Sequence, residues 1–240
     1  MALLVIGAVA CDRTDTSNAP VTTTSPAGTS TAPSSASAKH RDEALMRVVN
    51  AAPSGNLDLF AGDLMLFDGL AFKAVTPYRA IDGQRYAFAL RPAGMPQAKP
   101  LSSNTEGLAD GSFYTAVAMP GDEGRAQLRI VGDQLDSPAG GKARLRVIHA
   151  GTNAGQILVR PSGTTDHLLE DIDYLSVSGY RDVGPINGTL EIVGQGAVSR
   201  VLATVNARLE PGRFYTIVVV AGAPSVPGLE AFLIEDALSP

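Results

Sequence analysis

A unit near one hundred residues is written twice in this chain. MRVVNAAP at 46–53 faces LRVIHAGT at 145–152, Leu57 and Leu59 face Ile157 and Val159, and LAFKAVTPYRAI at 70–81 faces IDYLSVSGYRDV at 172–183. LADGSFYTAVAMPG at 108–121 then faces LEPGRFYTIVVVAG at 209–222, and IVGDQL at 130–135 faces LIEDAL at 233–238. The offset drifts only from 99 (Met46 against Leu145) to 103 (Ile130 against Leu233). A repeat this long with so little drift implies two copies of one folding unit in tandem.

Within each copy, short alternating apolar runs are punctuated by Gly, Pro, Asn and Asp every eight to twelve residues or so, with almost no sustained 3.6-residue period. That pattern predicts an all-β fold. Each copy holds its own seven or so strands, as an immunoglobulin-like sandwich requires. Leu209-Glu210-Pro211-Gly212-Arg213-Phe214-Tyr215 also matches the L-x-P-G-x-x-Y corner of fibronectin-like sandwiches. There the tyrosine ring packs inside while its hydroxyl returns to an upstream backbone group. Leu108–Tyr114 repeats the motif with Asp110 in place of proline, so Tyr114 and Tyr215 are read as two structural tyrosine corners. The expected fold is two tandem antiparallel β-sandwiches, residues 41–137 and 141–240, joined by a hinge at DSPAGG, 136–141.

Composition removes several function classes. Lys plus Arg is 19 against 24 acids, a net charge of -5, and no basic stripe is available to neutralise phosphates, so no nucleic-acid partner is expected. The chain has one cysteine, Cys11, which rules out an intramolecular disulfide and a thiolate metal centre. With 45% hydrophobic residues, packing must hold the fold.

The amino-terminal region reads differently. MALLVIGAVAC, 1–11, is an apolar run too short to span a bilayer but suited to a signal peptide, although no Lys or Arg follows Met1. Ala8-Val9-Ala10 fits ordinary signal-peptidase cleavage and also resembles a bacterial lipobox, in which small residues precede a cysteine that receives a diacylglycerol. The chain's single cysteine stands at that place, so residues 1–10 are read as a signal peptide and Cys11 as the lipid acceptor. Residues 12–40 are rich in Ser, Thr, Ala and Pro and offer almost nothing large to bury, which predicts a disordered tether with a mean span of about 30 Å.

RVVNAAPSGNLDLFAG and RVIHAGTNAGQILVRP resemble the RVVHASPDAPxVDVYVDG opening of the bacterial family called domain of unknown function 4397. The middle segments with Tyr78 or Tyr180 and the late GxxYTxVxxG strand extend the resemblance over residues 44–238. It implies an exported, often lipid-anchored protein built from β-sandwich repeats, and it implies no activity. The family's polar opening is thinned here. Its histidine is present only as His149, with Asn50 in the other copy, and its aspartate only as Asp58, with Leu158 in the other.

Few residues invite chemistry. His149 could act as ligand or base, but its exchange for Asn50 suits a hydrogen-bonding role that either side chain fills. DHLLEDIDYL places Asp166, His167, Glu170, Asp171 and Asp173 close together, yet apolar residues interrupt them and no glycine is placed as in a calcium loop. GQGAVSRVLATV, 194–205, imitates a dinucleotide-binding turn, but Ser199 stands where the third glycine belongs, and a hairpin explains it better. No G-x-S-x-G elbow occurs, and tryptophan, the residue most suited to sugar stacking, is missing.

The expectation is therefore a non-enzymatic, lipid-anchored protein of the cell envelope, periplasm-facing or at the cell surface. Its two sandwiches would serve a protein or envelope-polymer partner, without a cofactor. The alternative is a small-ligand or calcium-binding module at the loops near His149 and Asp166–Asp173.

Overall fold

The computed structural model describes residues 42–196, 199–222 and 228–236. The signal-peptide, Cys11 and tether readings lie outside these residues. Among the described residues every element is a strand, apart from a short 3-10 turn at Asp122–Gly124.

Eight strands build the first sandwich: β1 (Glu43–Asn50), β2 (Leu57–Ala61), β3 (Leu64–Leu70), β4 (Arg79–Asp82), β5 (Arg85–Pro92), β6 (Ser102–Gly107), β7 (Phe113–Pro120) and β8 (Ala126–Asp133). They divide into one sheet ordered β4-β1-β7-β8 and another ordered β3-β2-β5-β6. The second sandwich follows as β9 (Ala143–Ala150), β10 (Ile157–Pro161), β11 (Leu169–Ile172), β12 (Ser176–Val177), β13 (Arg181–Val183), β14 (Ile186–Gly194), β15 (Arg200–Leu209), β16 (Phe214–Ala221) and β17 (Leu229–Glu235). Its sheets run β12-β9-β16-β17, with β13 also on β9, and β11-β10-β14-β15.

The second copy keeps the first copy's plan. β12 and β13 occupy the stations that Val75, bridged to Val49, and β4 hold in the first copy. The β1 sheet has four strands and the β9 sheet five, and in each copy the opening strand lies parallel to its seventh station, β1 on β7 and β9 on β16. Every sheet draws its strands from one copy only.

The corners form where the motif places them. Gly111 and Gly212 have φ of 70° and 79°, the left-handed region a type II turn needs at its third residue, and Pro211 presets the residue before. The chain then enters β7 or β16, and the tyrosine hydroxyl accepts a hydrogen bond from an upstream N–H. The donor to Tyr114 is Ala109 at 3.0 Å, and the donor to Tyr215 is Glu210 at 3.1 Å.

Period-2 alternation sends Met46 and Val48 into the first core with Leu57, Leu59, Phe88 and Leu90. In the second copy Leu145 and Val147 meet Ile157, Val159, Leu190 and Ile192 in the same way. The residues between them are buried as well: Val49 and Ala51 with Val117 and Met119 from the first copy, Ile148 and Ala150 with Val218 and Val220 from the second. These eight pack together with Phe72, Val75, Leu175, Val177, Phe232 and Ile234 into a third apolar cluster. The β1 and β9 sheets are thus covered on both faces, and the molecule is four sheets deep.

The two sandwiches joined through 136–141 share this seam. The reason is physical. The β1 and β9 sheets are apolar on both faces, and the second face must be taken out of water too.

Candidate functional site

The polar side chains that the fold concentrates lie in the seam. On β1, Arg47 falls between Met46 and Val48 and so points away from its own core; its partner across the parallel ladder is Thr115 on β7. Arg146 and Thr216 stand in the same relation on β9 and β16. All four side chains are buried, at 2% exposure or less.

Each arginine crosses to the other sandwich. The Arg47 Nη2 donates to Asp236 Oδ1 at 2.5 Å, and the Arg146 Nη1 donates to Asp133 Oδ1 at 2.6 Å. The second carboxylate oxygens are filled from their own copies. Asp133 Oδ2 accepts from Tyr78 Oη at 2.6 Å and Thr115 Oγ1 at 2.7 Å, while Asp236 Oδ2 accepts from Tyr180 Oη and Thr216 Oγ1, both at 2.8 Å. Arg47 Nε donates to Thr115 Oγ1 and Arg146 Nε to Thr216 Oγ1, each at 3.0 Å. The guanidiniums lie over the rings of Tyr78 and Tyr180, 4.9 and 4.5 Å from the centroids. Phe113 and Phe214 meet those rings edge-on.

The seam is therefore an approximate two-fold in which Arg, Thr, Tyr and Asp recur at matched stations and each bridge is answered by its mirror. The copies differ in one contact, since Arg146 Nη2 also reaches Thr115 Oγ1 at 3.1 Å. Burial by itself lowers a guanidinium's pKa, but at Arg47 the charge of Asp236, with Asp133 adding to it, outweighs burial and holds the group above its ordinary value. Burial, reinforced by the neighbouring carboxylates, pushes Tyr78 and Tyr180 well above the ordinary phenol range, so both remain donors. The network holds its charges and hydroxyls in fixed, mutually satisfied positions, which suits a structural clamp.

The residues singled out from sequence fall elsewhere. His149 is fully buried at the end of β9. Its Nε2–H donates to the Gly155 carbonyl at 2.9 Å and its Nδ1 accepts from Gly151 N–H at 3.3 Å, so it is the neutral Nε2–H tautomer. Burial lowers its pKa below the ordinary value, with the Gly155 carbonyl and Asp173 opposing in part. Asn50 does the same two jobs in the first copy, donating to Leu70 O at 2.9 Å and accepting from Ala52 N–H at 3.0 Å. Asp58 ties the end of β3 to the loop after β5, accepting from Gly69 and Gly94 N–H at 2.8 and 2.9 Å.

The acidic stretch does not converge. Asp173 accepts from Gln156, Asp171 from Gln195, and Glu170 meets His167. Among the described residues no three metal-ligating side chains gather. Gly194 ends β14 and Arg200 begins its antiparallel partner β15, so the described ends of GQGAVSRV face each other across a strand pair; residues 197–198 lie outside the described set. A cleft of about 430 Å³ opens at one edge of the seam, where Tyr174 and Leu175 face Pro120, Asp122 and Arg125.

Sequence reasoning missed the seam although its members lay inside the matched segments. The signal was an arginine at one register position of an otherwise apolar strand, present in both copies. A strand apolar on both faces implies a covering layer on each.

Residues 44–160 match the model of a family described as "Domain of unknown function (DUF4397)". The match runs through the first sandwich and across the join to Arg160 in β10, and so includes Arg47, Thr115, Asp133 and Arg146 of the seam. No curated protein matches the chain.

Proposed function

As the chain belongs to this DUF4397 family, whose description assigns no activity, we propose that it is a non-enzymatic, lipid-anchored protein of the cell envelope. Its paired sandwiches act as one stiff body for a protein or envelope-polymer partner. The observation that carries the reading is the reciprocal clamp, Arg47 to Asp236 and Arg146 to Asp133. Two sandwiches on a loose join would present their outer sheets at any angle, whereas a seam with directional buried bridges selects one. Buried ion pairs add little net stability, and their best-attested use is to fix register, while the apolar cluster supplies the adhesion.

The anchoring rests on Ala8-Val9-Ala10-Cys11 and the Ser/Thr/Pro-rich 12–40 segment, which would hold that body some 30 Å from the membrane. Cys11→Ala tests it. The parent protein should partition into the detergent phase and the variant into the aqueous phase; equal partitioning of the two defeats the anchor. The presentation reading is tested by crosslinking in the native host. The parent chain should capture a discrete partner that Asp236→Ala captures less, whereas equal capture by both removes the need for a fixed seam.

A further inference from the structure

Three features of the seam bear on what else it can bind. Both sides carry the same chemistry: Arg47, Thr115 and Asp133 face Arg146, Thr216 and Asp236. Each bridge also runs between copies rather than within one. No β-ladder crosses the seam, since every sheet is built within one copy, so parting the halves breaks no strand pairing among the described residues. Finally, the covalent tie between the halves is the segment 134–142. It is solvent-exposed over most of its length; Gly212 N–H holds its last residue at Lys142 O, 2.8 Å, and its other ties to the sandwiches are longer, Arg144 Nη1 to Gln134 O at 3.3 Å and Ala139 N–H to Asp182 at 3.4 Å.

We infer that the seam is a self-complementary interaction surface whose alternative occupant is a second copy of this chain. In such a pair the first sandwich of each copy docks on the second sandwich of the other. The Arg47–Asp236 and Arg146–Asp133 bridges and the apolar cluster then re-form between chains instead of within one. This goes beyond the envelope reading and does not depend on it.

The exchanged dimer has the same seam contacts as the closed monomer, so the balance is set by the join. A short flexible join keeps the tethered half at an effective concentration on the order of millimolar, which favours closure in dilute solution. Shortening the join below the span it must bridge removes that advantage, because each residue reaches at most about 3.3–3.6 Å. Opening exposes an apolar face and unpaired charges, so exchange is slow once the chain is folded.

Two full-length variants test the proposal. Arg47→Asp alone sets two carboxylates against each other in the closed chain, and Asp236→Arg alone sets two guanidiniums. Refolded together, they regain complementary charges only by exchanging halves, with one reversed and one native bridge between positions 47 and 236 and both Arg146–Asp133 bridges native in each dimer. Native mass spectrometry should show a one-to-one heterodimer at twice the mass of one chain, in excess over either homodimer. Separate monomers, or homodimers as abundant as the heterodimer, overturn the inference.

Carrying both changes in one chain checks that the reversed bridge fits, since that chain should remain monomeric. An independent variant leaves every seam residue native. Deleting 137–141 should double the mass measured by light scattering, and a monomer or an undefined aggregate from that deletion overturns the proposal as well.

Discussion

Asn50 and His149 occupy one station of the repeat, Arg47 and Arg146 another only three positions away, and the two stations behave differently. At the first, the copies use different side chains. Each binds partners inside its own sandwich, a loop carbonyl and an N–H two residues on, and an amide or a neutral imidazole can serve both. Asp58 and Leu158 differ in the same way, since Asp58 bonds N–H groups of the first copy alone. At the second station the copies are identical, as are Thr115 and Thr216, Tyr78 and Tyr180, Asp133 and Asp236. The carboxylate of each arginine belongs to the other half, so a change on one side strands a buried charge on the other, while the Thr and Tyr hydroxyls hold that carboxylate in place from its own copy. A contact satisfied locally lets the two copies diverge, whereas a contact that closes the seam ties them together.

The sharpest way to break this contrast is Asp236→Ala. It leaves the Arg47 guanidinium buried without its counter-charge and should cost about 3–5 kcal/mol. At about 2–4 °C per kcal/mol for a chain of this size, Tm should fall by roughly 6–20 °C. Changing both partners, Arg47→Met with Asp236→Leu, should cost far less than Asp236→Ala alone, because no buried charge is stranded. A double variant as unstable as the single would mean that the bridge itself, not the stranded charge, dominates.

Tyr180→Phe should come next, at about 1.5–3 kcal/mol in denaturant unfolding, because one hydrogen bond to the Asp236 carboxylate is lost. Tyr78→Phe should match it from the other side of the two-fold, and a clear inequality would limit the symmetry to geometry.

At the local station, His149→Leu should cost about 1–3 kcal/mol, mainly from the buried Gly151 N–H, and His149→Asn less than that. His149 also carries a pH signature. Its folded-state pKa is lowered by burial, so the unfolded chain binds the proton more readily, and the contribution is intact above the unfolded value of about 6.5. It is lost as pH falls from there through the lowered folded value. Thermal melts from pH 8 to pH 5 should show this loss in the parent chain and a smaller one in His149→Asn.

The smallest effect belongs to the half-exposed pair between Lys73 and Glu230, which joins the halves at the solvent edge. Lys73→Ala should change stability by about 0–1 kcal/mol and less in high salt.

The duplication was legible because both copies keep the same turns and strand phases, and those are local properties. The corners at Tyr114 and Tyr215 were legible for the same reason, since the turn and the hydroxyl's partner lie within five residues of the ring. The interchange of Asn50 and His149 already pointed to a hydrogen-bonding station, because the two side chains share a donor and an acceptor and little else. The seam was half visible. MRVV and LRVI each set an arginine among residues that are apolar on both strand faces, and a buried second face was the only way to satisfy that pattern.

Which carboxylate Arg47 would reach was not written locally. Asp133 and Asp236 sit at matched stations with similar neighbours, and either could answer it. That choice is made by how two whole sandwiches dock.

The sequence alone determined two β-sandwich copies, their corners and their separate cores, because strand alternation, turn chemistry and a hundred-residue repeat act over short range along the chain. Only the tertiary structure decided that the copies close face to face with their arginines exchanged. That outcome depends on shape and charge matching between surfaces that form after each copy has folded, between partners as far apart in sequence as Arg47 and Asp236.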